Sequence, residues 1–174
     1  MQGTASFKVK RPAALYTPEQ RARRDGSAWT IVQAILAPLQ FIVFLVSLFL
    51  VVRYLISGEG LALATASILL KTAILYLIMV TGAIWEKDVF GQYLFAPAFF
   101  WEDVVSMLVL ALHAAYLAAH FGSVLQPVWL MWLALAAYAA YVINAAQFLL
   151  KLRAARLQYA ATQTRAEITA EFVQ

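Results

Sequence analysis

Four long apolar blocks, near residues 28–56, 61–86, 98–121 and 127–151, constrain this chain more than any other feature. Each exceeds the roughly 20 residues that a helix needs to cross the hydrocarbon core of a bilayer. Inside lipid the backbone must satisfy its own hydrogen bonds, so an isolated block of that length can only be a helix. The blocks are joined by Ser57-Gly58-Glu59-Gly60, by a longer segment 87–97, and by Gly122 to Pro127. Short links force neighbouring helices to run antiparallel. The predicted fold is therefore all-α, an integral-membrane four-helix up-down bundle. Composition agrees, with 64% of residues hydrophobic and 13% charged, against about half and about a quarter in soluble domains.

The flanks are different in kind. Residues 1–27 form a polar, basic N-terminal tail and 152–174 a second tail. No periodicity is visible over 1–15, and the first 26 residues lack the apolar stretch of a cleavable signal peptide. Thr17-Pro18-Glu19-Gln20 predicts a helix start, with Thr17 as cap, Pro18 at the first position and Gln20 closing a capping box. The short helix that follows carries Arg21, Arg23 and Arg24, a strip suited to the membrane surface, and ends at Asp25-Gly26-Ser27. The N-terminal tail holds six Lys and Arg, the middle segment Lys87, the third link none, and the C-terminal tail Lys151, Arg153, Arg156 and Arg165. The positive-inside rule puts both termini and the middle segment in the cytoplasm. Net charge is +4 and sits on the tails, which points to lipid headgroups and not to nucleic acid. The chain has no cysteine, which excludes disulfides, thiolate metal sites and iron–sulfur clusters.

Ionisable groups inside a membrane are costly and point to function. The third apolar block is the richest: Glu102, Ser106, His113, Tyr116 and His120 share one helical face, with Asp103 off that stripe near the helix start. The second places Ser67, Lys71, Trp85 and Glu86 on one side, the first Gln33, Gln40 and Ser47, the fourth Tyr141, Asn144, Gln147 and Lys151. Gln33, Gln40, Ser47 and Asn144 are expected to be hydrogen-bond glue between helices, and Lys87 and Asp88 solvated loop charges. Glu86, Asp88, Glu102 and Asp103 gather at the cytoplasmic ends of the second and third spans. Glu102 and Asp103 also suit a helix N-terminus on electrostatic grounds alone. Lys71 either snorkels or pairs with a carboxylate.

Two histidines on one helix cannot clamp a haem between helices. There is no glycine-rich nucleotide loop, zinc motif or nucleophile elbow. Acids, a histidine and tyrosines within a bundle are equipment for moving protons to or from a hydrophobic substrate, or for holding a pigment or lipid. The residues alone carry the reading no further.

The segment 82–118, GAIWEKDVFGQYLFAPAFFWEDVVSMLVLALHAAYLA, resembles the 3-vinyl (2-vinyl) bacteriochlorophyllide hydratase family of bacteriochlorophyll biosynthesis. So do the runs 16–48, YTPEQRARRDGSAWTIVQAILAPLQFIVFLVSL, and 136–157, AAYAAYVINAAQFLLKLRAARL. The resemblance implies a hydro-lyase that adds water across the C3-vinyl group of chlorophyllide or bacteriochlorophyllide, giving the 3-(1-hydroxyethyl) derivative. It implies no cofactor, any magnesium belonging to the substrate macrocycle. It also implies a bacterial inner (intracytoplasmic) membrane, with neighbouring pathway enzymes as possible partners.

Such a hydration needs a dry acid, a base for the water and a wall for the cation. A carboxyl group kept from water inside a membrane retains its proton near neutral pH. Under the resemblance Glu102 is the first choice of acid and Asp103 its substitute, with Glu86 pairing with Glu102. His113 is either base for the water or ligand of the substrate magnesium. Trp85, Trp101 and Tyr116 are candidates to stack on the macrocycle, with Ser106 and Lys71 as further substrate contacts. Arg21, Arg23, Arg24 and Lys87 are candidate partners for its propionate. Two rivals compete: a non-catalytic pigment-binding or assembly subunit of a photosynthetic complex, and a small proton-coupled transporter. The transporter suits an acid at mid-membrane, and these acids lie near one end.

Overall fold

The computed structural model describes residues 15–171, with side chains as far as Thr164. The unpatterned first residues, Lys8, Lys10 and Arg11 of the basic tail, and the Arg165 side chain lie outside it. Five helices follow in order: α1 (Pro18–Gly26), α2 (Ala28–Ser57), α3 (Leu61–Phe90), α4 (Phe100–Phe121) and α5 (Pro127–Glu171). No strand occurs among the described residues. α2, α3, α4 and the first 38 residues of α5 are long and apolar enough to cross a membrane. The protein is a multi-pass helical membrane protein.

The start of α1 follows its sequence. Thr17 Oγ1 accepts from Gln20 N at 3.2 Å, and Gln20 Oε1 accepts from Thr17 N at 2.9 Å. Ser27 breaks the chain into α2 and caps it. α2 lies along α3 and α4 along α5, and the two hairpins meet through α2–α5 and α3–α4, while α1 rests on α3. The outside is apolar and the inside is not: Ile31, Ile35, Ile42, Phe49 and Ile56 of α2 point outward, whereas Gln40 and Ser47 are buried. That inversion is what a bundle in lipid requires, because polar side chains find partners only in its interior.

Two boundaries differ from the sequence reading. α3 continues to Phe90, so Lys87 and Asp88 belong to its last turn and are not loop residues. Asp88 accepts a hydrogen bond from Ser27 Oγ, tying the start of α2 to the end of α3, and Lys87 Nζ donates to Gly91 O at 2.8 Å. α5 does not end at the membrane. It runs 45 residues, roughly 68 Å at 1.5 Å per residue, because 152–171 is rich in Ala, Leu, Gln and Arg without Gly or Pro. Arg21 of α1 lies 3.8 Å above the Tyr159 ring and anchors this extension to the surface helix.

Candidate active site

The interior polar groups form two stations. The first is at the membrane end where α3 stops and α4 begins. Gly91, at φ +86°, takes the left-handed conformation that ends α3. The chain then loops back before α4, and the loop folds over two acids. Phe95 N donates to Asp103 Oδ2 at 2.7 Å. Ala96 N donates to Glu86 Oε2 at 3.3 Å. Two successive amides of one loop thus hold Glu86 and Asp103, and both carboxyl groups are buried there. Phe95 sits at φ +59°, a strained conformation for a bulky side chain, and its bond to Asp103 helps to hold it there.

Glu102 has another partner. Its Oε2 lies 2.5 Å from Lys151 Nζ of α5. The expected Glu86–Glu102 pair is thus replaced by Glu86–Asp103 and Glu102–Lys151. Sequence reasoning placed Asp103 off the polar face because it centred that face on Glu102. In the fold Asp103 is buried together with Glu102, as are Ser106, Val109, His113 and Tyr116 further along α4. An aromatic box closes the station: Phe99, 1% exposed, has Trp85 at 5.8 Å, Phe90 at 5.8 Å and Phe148 at 5.7 Å between ring centroids. Tyr16 stacks on Phe90, and burial pushes its phenol up against the opposing pull of Arg24. Trp85 Nε1 donates to Thr30 Oγ1 at 2.9 Å.

The second station lies near mid-membrane. Lys71 is fully buried, and its Nζ lies 2.8 Å from His113 Nε2. His113 Nδ1 lies 2.8 Å from Val109 O; with Nδ1 protonated, Nε2 is left to accept from Lys71. The Lys71 ammonium faces the Tyr141 ring at 4.2 Å and the Tyr138 ring at 5.1 Å. Tyr138 Oη and Ser47 Oγ are 2.6 Å apart, and Ser47 and Ser67 are 2.8 Å apart. Lys71 therefore neither snorkels nor meets a carboxylate. It is held by a histidine and two aromatic faces.

The remaining candidates are scattered. Ser106 Oγ accepts from Asn144 Nδ2 at 2.8 Å. Tyr116 is fully buried, and its hydroxyl has no hydrogen-bond partner among the described residues. Trp101 is 69% exposed, and its ring packs edge-on against Phe100. The glue expected of four amide and hydroxyl residues holds for three. Gln33 bonds Thr81 at 2.8 Å, Ser47 and Asn144 are bonded as above, and Gln40 bonds nothing among the described residues. Sequence reasoning missed the Phe95 and Ala96 amides, which carry no side-chain signal. It also missed Phe99; it set Lys151 on the inner face with Asn144 and Gln147, without naming Glu102 as its partner. No group of three metal-binding side chains occurs among the described residues.

The molecule is a helical membrane bundle with two buried carboxyl groups under a loop at one end and a buried lysine–histidine pair in its middle. Residues 16–154 match the 2-vinyl bacteriochlorophyllide hydratase family. The chain is 70% identical over 150 residues to a 2-vinyl bacteriochlorophyllide hydratase of Cereibacter sphaeroides, covering 86% of this chain and 92% of that one. It is also 70% identical over 148 residues to the enzyme of that name from Rhodobacter capsulatus, covering 84% and 85%. No solved structure matches the chain. The chain belongs to the 2-vinyl bacteriochlorophyllide hydratase family.

Proposed function

We infer that this chain is a hydro-lyase of bacteriochlorophyll biosynthesis that adds water to the vinyl group of a bacteriochlorophyllide-type pigment. The observation that carries the activity is the 70% identity to two enzymes named for it, over most of each chain. The family match spans both polar stations.

The geometry supports a division of roles. An ion-paired carboxylate has no proton to give, so Glu102, bound to Lys151, is the weaker choice of acid. Glu86 and Asp103 are both buried under the loop, where two adjacent negative charges are costly, so the proton is assigned to one carboxyl of that pair. In this reading the pair protonates the terminal vinyl carbon. The electron pair of the double bond forms the new C–H bond, and the positive charge spreads from the adjacent carbon into the macrocycle. Water attacks that carbon and returns its surplus proton to the carboxylate pair, so one water is consumed and the acid is regenerated. The aromatic box around Phe99 stabilises the cation, and Glu102 is left to its ion pair with Lys151. His113 has both ring nitrogens engaged, so its role is to fix Lys71, and it could ligate a substrate magnesium only if Lys71 withdrew. Magnesium is read as part of the substrate alone.

Of the basic residues near the surface, Arg24 is paired with Asp25, Arg21 lies on Tyr159 and Lys87 bonds Gly91. Arg23 has no partner among the described residues and is the best placed to receive the propionate. The distribution of Lys and Arg supports cytoplasmic termini in a bacterial inner membrane. Membranes carrying the protein, supplied with 3-vinyl chlorophyllide, test the reading: the long-wavelength band should move to the blue as the conjugated vinyl group is lost. Pigment that binds without a spectral shift would make the protein a carrier.

A further inference from the structure

Gln40 is 1% exposed, and neither its Oε1 nor its Nε2 has a hydrogen-bond partner among the described residues. Asn144 is 8% exposed; it spends Nδ2 on Ser106, and its Oδ1 is unpartnered. Gln147 Oε1, one turn from Asn144 toward Lys151, is unpartnered too. Leaving polar groups dry is expensive, and unpaired buried amides in a native interior call for an explanation.

These amides occupy one level of the bundle. α2 and α5 run antiparallel, and Phe44 of α2 touches Tyr141 of α5 with ring centroids 5.0 Å apart. Gln40 lies one turn from Phe44, and Asn144 one turn from Tyr141, both toward the carboxyl pair. Asn144 is bonded to Ser106, which stands three residues after Asp103, about 4.5 Å along α4. The amides therefore lie one turn deeper than the acid. They offer carbonyl oxygens to accept and one NH2 to donate, which complements a molecule with two donors and two lone pairs.

We propose that Gln40 and Asn144 bind a buried water molecule between the two polar stations, and that this water is the one added to the vinyl group. The nucleophilic role rests on the hydratase reading; the water site does not. The water donates to the Asn144 and Gln40 carbonyl oxygens and accepts from Gln40 Nε2, leaving a lone pair for the cationic carbon. Its surplus proton returns to the Glu86–Asp103 pair, since amide oxygens are too weakly basic to keep it. Three-point anchorage of this kind is what holds a water inside protein.

Hydroxyl-radical footprinting of the full chain in detergent, without pigment, tests the site directly. Irradiation splits ordered buried waters and oxidises the side chains beside them. Phe44 and Tyr141, 3% and 8% exposed, should be oxidised in the unmodified protein, and at least about fivefold less in Gln40→Leu and Asn144→Leu, which remove the polar anchors of the water. Absence of label at both residues in the unmodified protein overturns the site, whatever the variants do. In parallel, conversion of 3-vinyl chlorophyllide should fall at least about tenfold in each variant with pigment affinity retained. Loss of label with unchanged conversion overturns the water's role as nucleophile. Label in an unmodified protein that never converts the pigment overturns the hydratase reading, and the footprint still supports the water site.

Discussion

At the scale of single residues, neighbouring carboxyl groups on α4 have opposite fates. Glu102 meets a cation and Asp103 is tucked with Glu86 under the loop amides, although they are adjacent in sequence. Breaking a largely buried ion pair by removing one partner costs about 3 kcal/mol. Glu102→Gln or Lys151→Met should therefore lower the thermal midpoint in detergent, and the double variant should recover part of the loss. A midpoint unchanged in both single variants would mean that the pair is not formed. Phe95 gives a second test. A left-handed residue costs roughly 1–2 kcal/mol, and the backbone N–H that binds Asp103 is independent of side chain. Phe95→Gly should keep turnover and stability, whereas Phe95→Val, with a β-branched side chain in that conformation, should lose both. Equal behaviour of the two would remove the loop from the account.

At the scale of elements, four spans and the cap of α1 were legible in the sequence because length, hydropathy and capping chemistry act locally. Thr17, Pro18 and Gln20 do in the fold what their spacing predicts. The face of each span was legible only in part. Lys71, His113, Ser106 and Asn144 turn inward as periodicity requires, but which inward residue meets which depends on helix rotation and register, and these are tertiary. This is why the sequence points Glu86 to Glu102 and offers Lys71 a carboxylate or the interface, whereas the fold gives it His113. Backbone donors from the loop before α4 have no residue-type signature at all. The helical extension of α5 has no hydropathy signal, because the charges after Lys151 end the apolar run without ending the helix. Arg21→Ala should free that extension from α1 and raise proteolysis between 152 and 171 without affecting turnover; unchanged cleavage would dispense with the Arg21–Tyr159 contact.

At the scale of the whole molecule, the bundle is apolar outside and polar within, and its proton-bearing groups are concentrated toward one face. A pigment arriving from that face or from the inner leaflet would meet the acid first and the lysine–histidine pair deeper in. The chain contains no cysteine, so single introduced thiols report topology cleanly. Ser123→Cys, between α4 and α5, should react with impermeant reagent from the periplasmic side. Gln92→Cys, between α3 and α4, should react only once the membrane is opened. The reverse pattern would invert the proposed orientation and place the carboxyl pair at the outer surface.

The central claim is that the Glu86–Asp103 pair, not Glu102, supplies the proton. Initial rates of 3-vinyl chlorophyllide hydration in labelled water should be compared for Asp103→Asn, Glu86→Gln and Glu102→Gln, each with pigment affinity measured alongside. The account predicts that Asp103→Asn loses about 10³-fold, the scale of a general acid, with Glu86→Gln close behind and pigment still bound. Glu102→Gln should retain most of its rate per folded molecule. Full activity in Asp103→Asn together with a dead Glu102→Gln would contradict the account and return the proton to Glu102.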